Sequence, residues 1–473
     1  MPVIPDCPTL FRDRADLRQF LLACKQTPST QTEPQIASIS LDIPPVDPLV
    51  VLEAMAPTDR HRFYLERRCE GQAIAAFQPV LQLRVDGADR FARIQAFIDR
   101  SLKRAIAVGA EDAAWSGPRF FCSFTFFDRP TNSEAAFPAA TVFLPRWQVI
   151  RDRDRCLAVA TVVLDGRESL DLTCQTLWHE LQTLRSLRDR RLPRIAEETA
   201  ATPQWQVSDA EPFKAAVAEA LGLIEQSQLS KIVLAHTIEA TASQPFRTIA
   251  SLANLRRIHN DCYTFLVSNG GGQTFMGASP ERLIGIRDRE LLTDALAGSA
   301  PRGATPLTDR QLTRKLFNST KERHEHQVVI DFITQHLARL DLTPRFSNQP
   351  SIRQLSNIQH LWTPIRANLP AGTQPLDVLA ALHPTPAVAG VPRDRACEHI
   401  RRWEPFERSL YAAPLGWIDA RGNSEFIVGI RSALIEGTRA CLYAGAGIVA
   451  GSNPDRELAE IQLKLQALLS ALV

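Results

Sequence analysis

Residues 426–464 have the sequence FIVGIRSALIEGTRACLYAGAGIVAGSNPDRELAEIQLK, and this stretch decides which class of fold the chain can adopt. Its apolar runs predict strands at 425–435 and 440–448. An Asn-Pro pair is a typical helix start, and the apolar spacing after it predicts a final helix over about 454–472. The stretch therefore predicts the end of an antiparallel meander, followed by a helix.

The sequence upstream of this stretch mixes strand and helix patterns. Apolar spacing predicts a helix over 210–228, capped by Ser208-Asp209, and a long helical pattern at about 309–340. Further strands are predicted at 231–239, 263–268, 282–287, 290–296 and 412–419. Because strands and helices do not alternate regularly as βαβ units, the pattern favours an α+β fold with antiparallel sheets.

Residues 1–205 carry weaker patterns than the rest of the chain. Short apolar runs predict strands at 77–83, 119–126 and 157–164, with helix-like stretches at 89–108 and 168–188. The segment EETAATPQ at 197–204 is a plausible boundary. We therefore expect two regions, 1–205 and 206–473.

Composition excludes several classes of protein. The chain has 473 residues, 45% of them hydrophobic, and carries 54 basic and 52 acidic residues for a net charge of +2. So balanced a charge gives no argument for binding nucleic acid or an anionic membrane surface. No apolar run is long enough for a membrane-spanning helix, and the N-terminus lacks the order of a secretory signal.

Cysteine spacing and motif searches exclude further classes. The nine cysteines are odd in number and never spaced as CxxC, a pattern that favours reduced thiols in the cytoplasm over disulfides or a zinc site. The sequence contains no GxxxxGK[ST], no GxGxxG after a strand and no HExxH. Nucleotide binding and zinc hydrolysis are therefore not indicated.

Two pairs of glutamates lie on separate predicted helices. Glu322 and Glu325 are three residues apart on one, and Glu457 and Glu460 are three apart on the last, so each pair shares a helical face. Such faces are usually solvated, and Glu460 with Lys464 is an ordinary surface ion pair. If the helices instead face each other across a cleft, they would hold Mg²⁺, which binds few carboxylates and keeps waters.

Lysine is rare in this chain, since only 7 of its 54 basic residues are lysine. Arginine cannot lose its proton in a protein, whereas a desolvated lysine can act as a base. Lys231 begins the apolar strand KIVLAHTIEA, where it is either a strand-edge lysine with its head in water or a base beside a closed cleft.

Three more features of the sequence are candidates for the site. Glu281 follows a turn in GASPERL, where it either caps the turn or acts as a protonated general acid. Arg431 lies within the apolar run IVGIRSA and needs an anion, either a structural glutamate or a substrate carboxylate. The strand end AGAGI includes Gly445 and Gly447, whose backbone N–H groups could approach a carboxylate closely.

In order along the chain, these pieces resemble the chorismate-utilising enzymes. The resemblance covers about 205–473 and implies two mainly antiparallel β-sheets packed together with helices on the outside, residues 1–205 being the variable N-terminal half of the same fold. The matching runs are SKIVLAH (230–236), FMGASPERLIGI (275–286), TDALAGSAPRG (293–303), STKERHEHQVV (319–329), NIQHLWTPI (357–365), LHPTPAVAGVPR (382–393), EPFERSLYAAPLGWID (404–419), FIVGIRSA (426–433) and YAGAGIVAGSNPDRELAEIQLK (443–464).

Members of this family differ in the nucleophile that attacks chorismate. Lys231 matches the lysine that activates water, whereas ammonia-using anthranilate synthases typically have Gln there. Ala297 stands where the aminodeoxychorismate synthases carry a nucleophilic lysine. Ala387 stands where salicylate and anthranilate synthases usually carry Thr. The resemblance thus implies Mg²⁺-dependent isomerisation of chorismate to isochorismate, for quinone, siderophore or salicylate biosynthesis.

The resemblance also implies a role for each residue of the acid–base pair and the metal shell. Lys231 would deprotonate the water that attacks C2, and Glu281 would protonate the hydroxyl leaving C4. Mg²⁺ would bind through Glu325 and Glu460, with support from Glu322 and Glu457. The family commonly has ETxxK at the end of this region, and here Ile461 replaces the Thr.

The remaining family positions would bind the substrate. Arg431, Gly445 and Gly447, together with Tyr411 and Lys464, would hold the enolpyruvyl carboxylate. The family positions that line the pocket are, in this chain, Gly298, His383 and Ala387.

Three alternatives remain open at this point. A salicylate synthase would add pyruvate elimination, an anthranilate synthase component I would need a glutaminase partner, and an inactive homologue would only bind. The expected protein is cytoplasmic and a monomer or weak dimer, without a glutaminase, nucleic acid or membrane span.

Overall fold

The structure is a computed structural model that describes residues 13–26, 34–109, 115–130, 135–166, 168–192, 204–207, 209–355 and 358–473. Its helices are α1 (Arg14–Gln26), α2 (Pro48–Met55), α3 (Arg90–Lys103), α4 (Leu170–Ser186), α5 (Glu211–Glu225), α6 (Thr248–Ile258), α7 (Pro306–Asn318), α8 (Thr320–Ala338), α9 (Pro375–Leu382), α10 (Arg393–Trp403) and α11 (Pro454–Leu469). A single 3-10 turn among them spans Arg68–Glu70.

Most strands are long and buried. They are β1 (Gln35–Ile43), β2 (His61–Arg67), β3 (Gln72–Val85), β4 (Ala105–Gly109), β5 (Arg119–Phe124), β6 (Ala140–Asp152), β7 (Arg155–Leu164), β8 (Gln204–Val207), β9 (Lys231–Thr241), β10 (Tyr263–Asn269), β11 (Gln273–Ser279), β12 (Arg282–Arg287), β13 (Glu290–Pro301), β14 (Ser351–Gln354), β15 (Ile358–Asn368), β16 (Gly390–Val391), β17 (Pro414–Asp419), β18 (Ser424–Val428), β19 (Ser432–Glu436) and β20 (Arg439–Ile448).

Strand pairing divides the molecule into two sheet arms that diverge from the long antiparallel pair β3–β6. The first arm runs in the order β3-β2-β10-β11-β19-β20-β9. The second arm runs β6-β5-β17-β18-β12-β13-β15-β14. Apart from β1 with β4, every described pairing between these strands is antiparallel. The predicted α+β class with mainly antiparallel pairing is therefore confirmed.

Two of the chain's crossings between the arms are adjacent. Residues 280–281 lead from β11 to β12, and residues 429–431 lead from β18 to β19. Hydrogen bonds join the crossings, since the Val428 amide donates to the Glu281 carbonyl (3.1 Å) and the Ser279 hydroxyl donates to the Val428 carbonyl (2.6 Å). These hydrogen bonds fix the positions of the side chains on the two crossings.

Two predicted elements are each divided in the structure. The strand predicted at 425–435 is wrong as one piece, because it breaks after Val428, where Arg431 takes a positive φ of 51° that no regular strand accommodates. The helix predicted at 309–340 is two helices. Ser319 ends α7 and caps α8 by accepting a hydrogen bond from the Glu322 amide (3.3 Å), as short polar side chains commonly do.

Smaller corrections concern element ends. The stretch predicted as a helix over 89–108 is α3 followed directly by strand β4. The helix predicted over 210–228 is α5, and the Asp209 carboxylate accepts from the Glu211 amide (3.0 Å), while Ser208 lies outside the described residues. The boundary segment 197–204 also lies outside them except for its last residue. In the described chain, no helix is long and apolar enough to cross a membrane.

Candidate active site

One cavity of about 180 Å³ lies where the two arms meet, and it collects almost every residue that the sequence singled out. The first arm contributes β9 and β20, the second contributes β13, and helices α8 and α11 and both crossings complete the wall. Thirteen predicted residues line it, namely Lys231, Glu281, Gly298, Glu322, Glu325, Ala387, Tyr411, Arg431, Gly445, Gly447, Glu457, Glu460 and Lys464.

Lys231 begins β9 and is only 2% exposed. Its Nζ donates to Oε1 of Glu325 at 2.7 Å, so the strand-edge lysine with a solvated head is not what the structure contains. On the neighbouring strand, a Cβ at Gly447 would come within 3.0 Å of that Glu325 oxygen and 3.2 Å of Cε of Lys231. Glycine at 447 therefore leaves the room that this buried pair occupies.

Glu281 lies on the first crossing and is 4% exposed. Its backbone N–H donates to the Ser279 hydroxyl (3.2 Å). Burial raises the pKa of the Glu281 carboxyl to about 8, against a smaller lowering by the Lys231 charge. The group is therefore a protonated carboxylic acid at neutral pH, a state in which it can donate a proton.

The four helix glutamates face the same cavity from α8 and α11. Burial raises the pKa of Glu322, and the nearby Glu325 carboxylate adds to the effect. Burial likewise raises the pKa of Glu457, with Glu460 as a second contribution. These helix faces are only partly solvated, because Glu457 is only 8% exposed, whereas the side chain of Glu460 is more open and pairs with Lys464. Carboxylate repels carboxylate across the cavity.

Lysines and backbone donors hold several of these carboxylates. Besides the Lys231–Glu325 pair, Nζ of Lys464 lies 2.7 Å from Oε1 of Glu460 and donates to the Gly445 carbonyl (2.9 Å). The Ser299 amide donates to Glu322 (2.9 Å). Within the described chain, no three His, Cys, Asp or Glu side chains converge closely enough to form a ready-made metal cluster.

The donor set nevertheless suits a hard divalent cation. All donors are carboxylate oxygens, and the mutual repulsion seen at Glu322 and Glu457 is what a bound cation would relieve. A metal that keeps several waters, as Mg²⁺ does, needs only one or two direct carboxylates and no converged cage. The residues present therefore fit such a metal.

Arg431 lies on the second crossing and reaches the cavity beside Tyr411 and Gly445. Among the described residues, no carboxylate lies within 4 Å of its guanidinium, which removes the structural-glutamate alternative for that part of the chain. A Cβ at Gly445 would come within 2.8 Å of the Tyr411 hydroxyl. The strand end therefore stays bare, leaving the space in front of Arg431 open to an anion.

His383 is a correction to the predicted site. Its ring is buried away from the cavity, where Nε2 donates to the Phe126 carbonyl (3.1 Å) and the ring packs edge-on against Phe126 at 5.8 Å. Burial lowers the pKa of His383 to about 3. The residue therefore packs the loop that leads to Ala387 and does not line the cavity.

Sequence reasoning missed polar residues that do line the cavity, notably Ser299, Lys321 and His360. Nδ1 of His360 lies 2.9 Å from the Ser299 hydroxyl, and Nε2 lies 3.4 Å from Nη2 of Arg431. Burial and the Arg431 charge hold the pKa of His360 well below its usual range, so the ring is neutral. The sequence does contain a signal for His360, since a histidine within the apolar run IQHLW needs a polar partner.

The comparisons with known proteins agree with this picture. The model of the "Chorismate binding enzyme" family matches residues 19–473. The chain therefore belongs to the chorismate-binding enzymes. It is 35% identical over 442 residues to the salicylate biosynthesis isochorismate synthase of Pseudomonas aeruginosa, a match that covers 93% of this chain and 90% of that protein.

Two further relatives extend the comparison. The isochorismate synthase MenF of Bacillus subtilis is 37% identical over 276 residues, which are 58% of either chain. The solved structure of MenF, the menaquinone-specific isochorismate synthase from Escherichia coli, superposes with a TM-score of 0.77 at 28% identity, covering 97% of this chain and all of that one. Membership of the family and its fold, predicted from the sequence runs, are thus confirmed.

Proposed function

We propose that the protein is an isochorismate synthase, an isomerase that converts chorismate into isochorismate. The observation that carries the proposal is the pairing, in one cavity, of a buried lysine with a buried carboxylic acid whose pKa is raised to about 8. A buried carboxylic acid that keeps its proton near neutral pH, in the same cavity as a buried lysine, is an arrangement suited to combined acid and base catalysis. The names of the relatives support the same reaction.

The acid and the base divide one exchange of hydroxyl groups between them. Lys231, in its neutral form, takes a proton from the water that attacks C2 of the ring. Glu281 gives its proton to the hydroxyl that leaves C4 as water. One water enters and one leaves, so the product is an isomer of the substrate, and each proton transfer is worth about 10²–10⁴-fold in rate.

The metal in this proposal is Mg²⁺. Glu325 and Glu460 would hold it, directly or through waters, and Glu322 and Glu457 would support them from the same helices. When bound, the cation supplies positive charge for the ring carboxylate of the substrate. The residues of the chain meanwhile orient the substrate and exclude water from all but the attacking position.

The second substrate carboxylate has its own receptor. Arg431 lacks a carboxylate partner among the described residues and lines the same cavity as Gly445 and Gly447. A planar guanidinium binds a carboxylate through two parallel hydrogen bonds. We assign the enolpyruvyl carboxylate to this position, with Tyr411 and Lys464 beside it.

Ala387 favours release of isochorismate over further reaction. It lines the cavity with a methyl group where a Thr would present a hydroxyl, so the position offers no proton donor or acceptor for eliminating pyruvate. Water from solvent is the nucleophile, and a glutaminase partner has no role. We place the enzyme in the cytoplasm, acting as a monomer or weak dimer with residues 1–205 as the variable half of the fold. Its product would serve pathways such as those in the relatives' names.

A product assay tests the proposal. Purified protein, chorismate and Mg²⁺ should yield isochorismate without salicylate, anthranilate or pyruvate. EDTA should abolish the reaction, and excess Mg²⁺ should restore it. Pyruvate formed in proportion to the chorismate consumed would show a lyase and overturn the assignment, and turnover unaffected by EDTA would remove the metal from it.

A further inference from the structure

A second cavity lies at the other end of the two arms from the candidate active site. It has a volume of about 340 Å³, which is within the range of small-molecule binding sites. Strands β2, β10 and β11 of the first arm and β5 of the second form its walls, together with β3 and β6. Gln273 at the start of β11 lines this cavity, whereas Glu281 follows the end of the same strand.

The two cavities are therefore separate sites. The extended strand from Gln273 to Ser279 has seven residues, a span of about 20 Å at the rise of a β-strand. The lining residues of the two cavities do not overlap. A ligand in the second cavity would not touch the proposed acid, base or metal shell.

Aromatic rings make up one wall of the second cavity. Phe63 and Phe121 lie with ring centroids 4.9 Å apart, and Phe121 and Phe143 follow at 5.6 Å in a stacked arrangement. All three are almost fully buried, so their positions are fixed by the core behind them. Phe143 is the most exposed of the three, at 3%, so a flat apolar ring in the cavity would meet this fixed cluster first at Phe143 and would gain contact area without ordering the wall.

Among the described residues at the mouth, the charged side chain is that of Arg84. None of the described residues that line the cavity is Asp or Glu. In the described parts of the chain, no carboxylate lies within 4 Å of its guanidinium. Its Nη2 donates to the Asn269 carbonyl (3.4 Å) and lies 3.2 Å from Nε2 of His61, while the Gln82 amide oxygen, in the orientation that satisfies both groups, accepts from Nε at 2.6 Å.

These contacts fix Arg84 without neutralising it. Burial and the Arg84 charge lower the pKa of His61 to about 4, so the imidazole is neutral and adds no second charge at neutral pH. Amide side chains of Asn269 and Gln273 stand on the same side, joined by a 2.6 Å hydrogen bond. The mouth thus presents a positioned guanidinium with Nη1 available, next to neutral hydrogen-bonding groups.

We propose that this cavity binds a small aromatic carboxylate, with its ring on the Phe143 side of the aromatic wall and its carboxylate on Arg84. The proposal does not depend on the function proposed for the first cavity.

The test measures binding directly, with 1-naphthoate as the probe and its uncharged analogue 1-naphthamide as the ligand control. Equilibrium dialysis of the full chain should show saturable binding of 1-naphthoate and much weaker binding of the amide. Arg84→Leu should weaken the binding of 1-naphthoate by at least about tenfold, the usual cost of losing a charge-assisted hydrogen bond. Arg84→Lys should recover part of it, because the charge remains.

Matched variants make the result decisive. Arg155→Leu removes another exposed arginine, on β7 and outside the cavity, and should bind 1-naphthoate like the parent. Because Arg84 is exposed, Arg84→Leu should keep the parent's thermal unfolding midpoint. If the parent does not bind the probe saturably, or if Arg84→Leu binds it as tightly as the parent, the cavity is not the site proposed. The second result would place the probe elsewhere, for instance at Arg431.

Discussion

Lys231 and Glu281 line the same cavity, but they lie in two regions that surround a buried ionisable group in opposite ways. One region provides a counter-charge and the other does not. Lys231 lies on a regular strand and has a carboxylate at 2.7 Å. Glu281 lies on a crossing between the arms and, within the described residues, has no cation within 4 Å. Burial disfavours charge at both, but only the lysine has a partner that compensates for it.

The difference shows how one cavity keeps Glu281, the proposed acid, out of the ion pair that Lys231 forms with Glu325. If Glu281 were placed beside the lysine, the two would form an ion pair and the acid would have lost its proton. Because Glu325 takes the position next to Lys231, the crossing can leave Glu281 in an environment that favours the protonated form. The geometry of the two arms therefore keeps Glu281 apart from the Lys231–Glu325 pair.

Removing Lys231, the proposed base, should have the largest effect. Lys231→Ala should lower kcat by about 10³-fold or more, near the upper range for a general base. Lys231→Arg should be about as inactive, because it keeps the positive charge near Glu325 but cannot lose a proton. Isochorismate formation under saturating chorismate and Mg²⁺ measures both, with circular dichroism to show that the fold is kept.

The conservative variant, Lys231→Arg, distinguishes a base at this position from a fixed positive charge. If Lys231→Arg retained most of the parent's activity, the residue would be acting as a fixed charge, and the comparison between the two regions would lose its catalytic meaning. Lys214→Arg is the matched control, since Lys214 pairs with Asp455 on the surface and should be replaceable without loss.

Removing the acid should have the next largest effect. Glu281→Gln keeps the shape and a hydrogen-bond donor but has no proton to transfer, so kcat should fall by about 10²–10³-fold. In the parent, log kcat should decline with increasing pH above about 8, because there the carboxyl loses its proton. A parent profile that stays flat to pH 9.5 would contradict the role of Glu281 as the acid.

Much of this site could be predicted from the sequence, because its residues lie in short local patterns. Lys231, Glu281, Arg431 and the glutamates of α8 and α11 stand at strand ends, turns and helix faces that short runs of sequence specify. His383 was misplaced because its surroundings are set by Phe126, which is distant in sequence and not in any matched run. The contact of His360 with Ser299 also joins two strands that only the folded sheet brings together.

The fold was predicted to the level of its elements but not of its crossings. Apolar patterns specify where strands run, so β9, β10 and β12 begin within a residue of their predicted positions. The same patterns do not reveal that the run through Val428 and Ser432 changes arm, because a positive φ at a non-glycine residue such as Arg431 leaves no mark on hydrophobicity. The second cavity was equally invisible, since its aromatic wall reads as ordinary core.

A smaller effect is expected on the free energy of unfolding, and it reports on the environment of Glu281. The folded protein keeps this proton up to pH about 8, whereas the unfolded chain releases it near the ordinary value of 4.5. Between these values the folded state binds more protons, so the free energy of unfolding should fall as pH rises, by about 1.4 kcal/mol per pH unit for one proton. Glu281→Gln lacks this proton and should gain stability relative to the parent from pH 5 to pH 8.

Urea unfolding at several pH values measures the difference between parent and variant. Glu239→Gln, on the exposed side of β9, should show no such trend and serves as the control. A difference between parent and Glu281→Gln that stays constant with pH would mean that Glu281 is ionised in the folded protein. The contrast with Lys231 would then be wrong.

The smallest effect is expected at Ile461, where this chain departs from the family's ETxxK pattern. Glu460 lines the cavity, but Ile461 next to it is fully buried in the core. Ile461→Thr should therefore cost about 1–3 kcal/mol of stability through burial of a hydroxyl, while the Mg²⁺ concentration for half-maximal activity stays within about twofold of the parent's. Denaturant unfolding and Mg²⁺ titration of activity measure the two quantities. A clear gain in metal affinity would mean that the hydroxyl reaches the carboxylate shell, and that the site extends across the face of α11 that now belongs to the core.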